Sequence, residues 1–372
     1  MEKRCMSVTA QPGTLTQIEV MRVLAMAGIF LYHVWSGLPE AGAQPFFGPV
    51  ISHILSQGHV GVLLFNMITG FVLTLPYAGP TGRPLPRYKT FLRQRFLRIC
   101  PNYYLSLLFW TGVAVIVGGG SARLARSLAE HLLFVHTFDP AVFFDIVPAY
   151  WWMGLIAQFY LLYPCLWKLY QRWGAAPATV FLCLLCWGGW LVFTVLARLL
   201  PGSLLALAHY LLYFNLPYRL PEFAIGMYLA TRWQGSAGSA TVHRQGTALK
   251  VWGIFLGLAG LGLWGPSVSQ LLVIQIYWVA VCLSLGLALF FTRGAAALGA
   301  WPPMARAAAT SFSFYLLHQP VIGYSTLWVK TAMPPFAAFI VITVCAGVVS
   351  LLMSVVLDNV VARIQTTSGA LR

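Results

Sequence analysis

The sequence predicts an all-α polytopic membrane protein of about ten transmembrane helices, with both termini in the cytosol. Three observations carry this: the composition, a series of apolar runs of spanning length, and the sides to which those runs assign the basic residues. Of 372 residues, 59% are hydrophobic and only 8% are Asp, Glu, Lys or Arg. Soluble domains run at about 45–50% apolar and about 25% charged. The 14 Trp, 16 Tyr and 24 Phe suit the aromatic belts at membrane interfaces. Soluble enzymes, disordered chains, coiled coils and nucleic-acid-binding domains are excluded.

A spanning helix needs about 20 mostly apolar residues. Runs of that kind lie at 19–37, 59–77, 99–118, 150–167, 178–197, 207–230, 251–267, 270–292, 308–329 and 336–358. With the N-terminus inside, the outer segments hold only Arg123, Arg126, Arg198 and Lys330, and Arg22 and Arg219 fall within spans. The other 17 of the 23 Lys and Arg lie inside, as the positive-inside rule requires. The formal charge of +15 is then a topological signal, not the mark of a polyanion partner. Gly265-Pro266 divides the seventh and eighth runs. Ala41-Gly42-Ala43 resembles a cleavage site, but Arg22 and His33 within the preceding apolar run are foreign to a signal peptide. The whole chain, 1–372, is expected to form one membrane-embedded domain with short cytoplasmic tails at 1–18 and 359–372. The setting expected for it is a plasma membrane, the inner one of a bacterium, with membrane lipid as its surroundings.

Two segments outside the spans have helical character. Residues 121–136 repeat Leu124, Leu128 and Leu132 four apart and pair Arg126 with Glu130 at i,i+4, which suits a helix on the outer surface. Residues 90–99 mix bulky apolar side chains with three arginines. The cysteines are scattered, and Cys183 and Cys186 lie within an apolar run as small packing residues.

Ionisable residues inside a span are costly and mark functional sites. Glu19, Arg22 and His33 lie in the first run, Arg219 and Glu222 in the sixth, and His318 in the ninth. Arg22 and His33 are 11 residues apart, which places them on one helix face at a separation of ~16 Å. Arg22 is near the cytosolic end and His33 nearer the outer one. Arg219 and Glu222 at i,i+3 can pair, and Pro217 and Pro221 loosen the helix around them. A helical bundle with Arg, His and Glu in its interior fits an integral-membrane enzyme or a transporter.

Six blocks in order resemble the acyltransferase 3 family of integral-membrane acyltransferases. They are Arg22-VLAMAGIFLY-His33 with Glu19 before it, GHVGVLLFNMITGFVL at 58–73, FLRQRFLRICPNYY at 91–104, YWWMGLIAQFYLLYP at 150–164, RLPEFAIGMYLA at 219–230 and SFSFYLLHQPVI at 311–322. Three positions depart from the family pattern. Leu63 replaces a usual Asp, Thr69 a usual Ser, and Ile156 a usual Glu.

The resemblance implies a transfer of an acyl group, most often acetyl, from acyl-CoA (acetyl-CoA) to a hydroxyl of a cell-envelope or exported glycan or a small molecule. Acyl-CoA would be a co-substrate, with no permanently bound cofactor and no metal. His33 and Glu222 are the expected catalytic residues. Arg22, Glu19, Arg93, Arg95, Arg98, Tyr160 and His318 are the expected substrate-binding residues. Arg95 and Arg98 share a helix face and suit the donor's phosphates better than Arg93, which points nearly opposite. His33 would act as general base. The alternative is an export partner for a polysaccharide precursor, using the same polar interior as a path. A structural subunit of an envelope assembly is a third reading, against which the six blocks stand.

Overall fold

The computed structural model of the chain describes residues 16–38, 47–79, 82–196, 199, 202–233, 293–329 and 333–370. The expected spans at 251–267 and 270–292 and most of the N-terminal tail lie outside them. All regular structure among the described residues is helical. Among the described residues, five helices are long and apolar enough to cross a membrane: Thr16–Ser36, Ile54–Tyr77, Tyr88–Gly118, Ala175–Phe193 and Pro335–Thr367.

The chain opens with α1 (Thr16–Ser36), then α2 (Gly48–Ser56) and a 3₁₀ turn at Gln57–Val60 that leads into α3 (Gly61–Thr74). Next, α4 (Tyr88–Gly118) is continuous over 31 residues. At 1.5 Å per residue it exceeds the ~30 Å hydrocarbon thickness. The arginine-rich segment at 90–99 is therefore the basic end of the third span, not a separate helix. Gly119, at φ 78°, ends α4 in the left-handed region that glycine tolerates.

A hairpin follows. Ser121 caps α5 (Ala122–Leu132) by accepting from Leu124 N at 3.1 Å. The helix stops short of 136 because Phe134 has a positive φ of 59°. The hydroxyls of Tyr103 and Tyr104 donate to the His131 and Leu132 carbonyls at 3.0 and 2.9 Å, fastening the hairpin to α4. Arg123 grips Asp145, and Arg126 holds both Glu130 and Asp139. Within it His131 and His136 stack face to face at 3.9 Å.

After a 3₁₀ turn at Pro148–Tyr150 come α6 (Trp151–Trp173) and α7 (Ala175–Leu196). The expected single span at 207–230 is two helices, α8 (Gly202–Tyr213) and α9 (Leu216–Arg232). Asn215 is extended between them. Gln158 of α6 holds the break: its Oε1 accepts from Leu216 N at 3.2 Å and its Nε2 donates to Asn215 Oδ1 at 2.5 Å. Pro217 falls in the first turn of α9, where a missing N–H costs nothing. The last described helices are α10 (Arg293–Ala300), α11 (Pro302–Val329) and α12 (Pro335–Ala370). The residues expected as a tail at 359–372 thus continue the final helix as far as Ala370.

Packing centres on α3 against α9, α11 against α12, and α1 against α11. The α3–α9 pair approaches closely because each helix gives a glycine. A Cβ on Gly70 would overlap the Phe223 carbonyl, and one on Gly226 would overlap that of Met67. Small residues of this kind let membrane helices touch backbone to backbone. Leu63 lies in an apolar cluster with Val60 and Met67, so its replacement of a usual acid leaves no buried charge to neutralise.

Candidate functional site

A cavity of about 390 Å³ opens between α1, α3, α4, α6, α11 and α12, within the about 300–1,000 Å³ typical of small-molecule sites. Arg22 enters it from α1, Arg95 and Arg98 from α4, and Tyr160 and Ile156 from α6. Arg22 and Arg98 lie close enough for their charges to act on each other, and Tyr160 feels all three arginines. Arg95 Nη2 donates to the Tyr77 hydroxyl at 3.3 Å, and its Nε is buried without a partner. No hydrogen bond or ion pair holds Arg22 or Arg98 among the described residues. Asp358 in the lining and Glu19 near Arg22 offset only part of this positive charge, and a bound anion would offset more of it. Phosphate suits guanidinium pairs best, through bidentate charge-assisted bonds.

Across the cavity stands a polar set that sequence reasoning missed. Asp358 Oδ1 accepts from Asn102 Nδ2 at 2.7 Å and from the Ser313 hydroxyl at 2.5 Å, and Asn102 also donates to Ser313 Oγ at 2.8 Å. Asn102 and Asp358 line the cavity. Asp358 is the last residue of the final apolar run, where an acid reads as ordinary solvent-side punctuation. The signal that could have found it is its being one of only eight acids in the chain.

Aromatic rings close the far wall. Phe65, Trp152 and Tyr315 all line the cavity and pack on one another, with centroids 5.6 Å apart for Phe65–Trp152 and 5.1 Å for Trp152–Tyr315. Behind Tyr315 lie the histidines. His318 is 5.7 Å from the Tyr315 ring and 5.3 Å from the His33 ring. His59 packs on Tyr32 at 5.5 Å, and its charge state acts on His33. The sequence reading passed over His59 because it lies at the edge of a run, where an imidazole is unremarkable.

The expected site residues divide accordingly. Arg22, Arg95, Arg98 and Tyr160 meet in the cavity. Arg93 is exposed and does not line it. Glu19 sits one turn from Arg22, near enough for a charge interaction but outside the lining. His33 and His318 meet beyond the ring layer. Glu222 is in neither place. It is fully buried; Oε1 accepts from Arg219 Nη1 at 3.3 Å and Oε2 from Asn66 Nδ2 at 2.6 Å. Asn66 Oδ1 in turn accepts from Trp152 Nε1 at 2.8 Å. Arg219 also donates through Nε to the Tyr213 carbonyl at 3.1 Å and lies over the rings of Trp151, Tyr213 and Tyr218.

Fold and site together define an integral-membrane helical protein with an arginine-lined cavity among its helices. The chain belongs to the acyltransferase 3 family: a family model described as "Acyltransferase domain" matches residues 15–358. It is therefore a membrane acyltransferase. No functionally curated protein and no solved structure matches the chain.

Proposed function

We propose that the protein moves an acyl group, acetyl in the first instance, from acyl-CoA to a hydroxyl of a cell-envelope or exported glycan or small molecule. The observation that supports this most is the three guanidiniums converging on one cavity with two of them unpaired. A neutral cargo needs no such charge, which favours the enzyme over an export partner. The donor's phosphates would sit against Arg95 and Arg98, and Arg22 would hold the acyl end of the donor toward His33. Tyr160 shapes the wall beside the arginines. Asp358, with one oxygen committed to Asn102 and Ser313, is placed to accept from an N–H of the donor. Glu222 supports the site through Asn66, which fixes the Trp152 ring in the wall.

The chemistry is direct transfer. The acceptor oxygen bonds to the thioester carbonyl carbon, the C–S bond breaks, and coenzyme A leaves as its thiolate. The acceptor's proton goes to His33 and from there to the thiolate. In the orientation set by the basic residues, donor arrives from the cytosol and acceptor from the outer side.

The test is mass spectrometry of envelope glycans and secreted metabolites from cells with and without the protein. A mass difference of one acyl group is expected, and it is expected to vanish with His33→Ala at matched expression, since a general base contributes about 10²–10⁴-fold. Unchanged product from His33→Ala would remove His33 from the mechanism.

A further inference from the structure

The catalytic reading of His33 raises a question that the geometry answers: what sets which ring nitrogen carries the proton. In hydrolases a buried carboxylate does this. Here the groups whose charge acts on His33 are His318 and His59, and no carboxylate is among them.

The tautomers can be worked out from fixed neighbours. Gln319 Oε1 accepts from Ala149 N at 2.5 Å, which fixes the amide and turns its Nε2 toward His33 Nδ1 at 3.5 Å. An N–H facing Nδ1 requires a lone pair there, so the proton of neutral His33 sits on Nε2. His318 has the opposite tautomer. Its Nδ1 lies 2.8 Å from the Tyr315 carbonyl and 3.2 Å from that of Phe314; carbonyls only accept, so Nδ1 carries the proton and Nε2 a lone pair. That Nε2 is buried and has no partner. Four rings surround His318: Phe30, Phe314, Tyr315 and His33. The phenylalanines cannot donate, and the Tyr315 hydroxyl is committed to the Ala149 carbonyl. His33 is the ring left to supply a proton. Its centroid separation of 5.3 Å suits two imidazoles meeting edge to edge.

We propose that His318 is the positioning partner of His33, accepting its Nε2–H and so leaving Nδ1 as the nitrogen that takes the acceptor's proton. The rings stand at 45°, and the bond closes as they turn toward one plane, as catalytic contacts tighten when substrate binds. The long Gln319 contact marks where the acceptor hydroxyl comes to lie at Nδ1. A neutral imidazole replaces the triad's carboxylate, which spares this apolar end of the bundle a buried charge. His59 faces the pair from the turn before α3, with its Nδ1 held by the Ser56 carbonyl at 2.7 Å.

This rests on the acyl-transfer reading, and the experiment separates the two. Membranes carrying each variant are mixed with membranes from cells lacking the protein, which supply the acceptor. Release of free coenzyme A thiol from acetyl-CoA is followed across pH. His318→Leu is expected to lower turnover by about 10–100-fold, the usual cost of losing a group that orients a ligand or base. Donor KM should stay unchanged and the acid limb of the pH profile move to lower pH, because the imidazolium of His33 loses its acceptor. His318→Gln can place its amide oxygen where Nε2 stood and should recover most of the rate. His318→Asn, whose amide reaches only the Nδ1 position, should not. That amide pair decides the matter even if the leucine variant fails to fold. Equal rates for His318→Gln and His318→Asn, or a wild-type pH profile in both, would overturn the dyad. If the wild type itself releases no thiol, the failure belongs to the acyl-transfer reading; if the wild type is active, an active His33→Ala or an unseparated amide pair overturns the dyad alone.

Discussion

Arg219 and Arg22 are both arginines inside apolar spans, and their surroundings differ in kind. Arg219 is buried and saturated: an acid, a carbonyl and three aromatic rings surround its guanidinium. Arg22 faces a cavity in the company of two more arginines, with no bonded partner. A buried cation bound by an acid and a carbonyl and covered by rings holds structure together. A cation gathered with its like around open space is waiting for an anion. Residue type is the same in the two cases; the pairing tells them apart.

Breaking the saturated side should have the largest effect. Glu222→Ala leaves Arg219 buried without its acid, and losing one partner of a buried pair costs about 3–5 kcal/mol. The variant is expected to accumulate poorly and to melt far below the wild type in detergent. Arg219→Leu with Glu222→Leu together should be less harmful than Glu222→Ala. A Glu222→Ala protein of normal stability but no activity would return Glu222 to the chemistry itself.

On the unsaturated side the effect should fall on binding and spare the fold. A hydrogen bond to a charged group is worth about 1.5–3 kcal/mol, so Arg95→Gln or Arg98→Gln should raise the acyl-CoA KM by about tenfold or more with melting temperature unchanged. The increase should be smaller for acyl-pantetheine, which lacks the nucleotide. Unchanged KM in both variants would leave these arginines as topological anchors only.

A third buried set, outside the spans, sharpens the comparison through pH. Burial depresses His136 to about 3 and His131 to about 4, and the stacked His131 ring further disfavours charge on His136. Both are thus neutral in the fold, while the unfolded chain binds protons from about pH 6.5 downward. Stability of the hairpin is therefore full above pH 6.5 and is lost as pH falls toward about 4 for His131 and about 3 for His136, by at most about 1.4 kcal/mol per pH unit for each histidine. Hydrogen exchange of residues 122–138 should accelerate over that window, and His136→Phe should flatten the dependence. A pH-independent hairpin would mean that the pair is already solvated.

The smallest perturbation is topological. Single cysteines at Ala122 and Arg83, both exposed, in an otherwise cysteine-free chain should label from opposite sides with an impermeant thiol reagent. Ala122 is preferable to Ser121, whose hydroxyl caps α5. Labelling from one side would undo the orientation on which donor entry from the cytosol depends.

Much of this was legible in the sequence because it is written in periodicity and cost. Long apolar runs announce helices, and Arg22 or His33 inside one stands out by its expense. The break at Asn215 was not legible, since its cause is Gln158, 57 residues away on another helix. Nor was the separation of Arg22 from His33 by the rings of Phe65, Trp152 and Tyr315, which come from α3, α6 and α11. Helical phase places two residues on one wall; it cannot say what other helices insert between them. Ile156 and Leu63 make the same point. Both replace usual acids, yet Ile156 faces the cavity and Leu63 an apolar cluster, so only the first alters what the site offers a ligand.

The ring layer has a bearing on the cell's energy supply. Were donor to enter from the cytosol and acceptor from the outer side, as proposed, any continuous file of water between them would carry protons down their gradient. Rings packed between the arginines and the histidines behave as an insulator at that place. An ion would have to shed its hydration shell against apolar carbon to pass them.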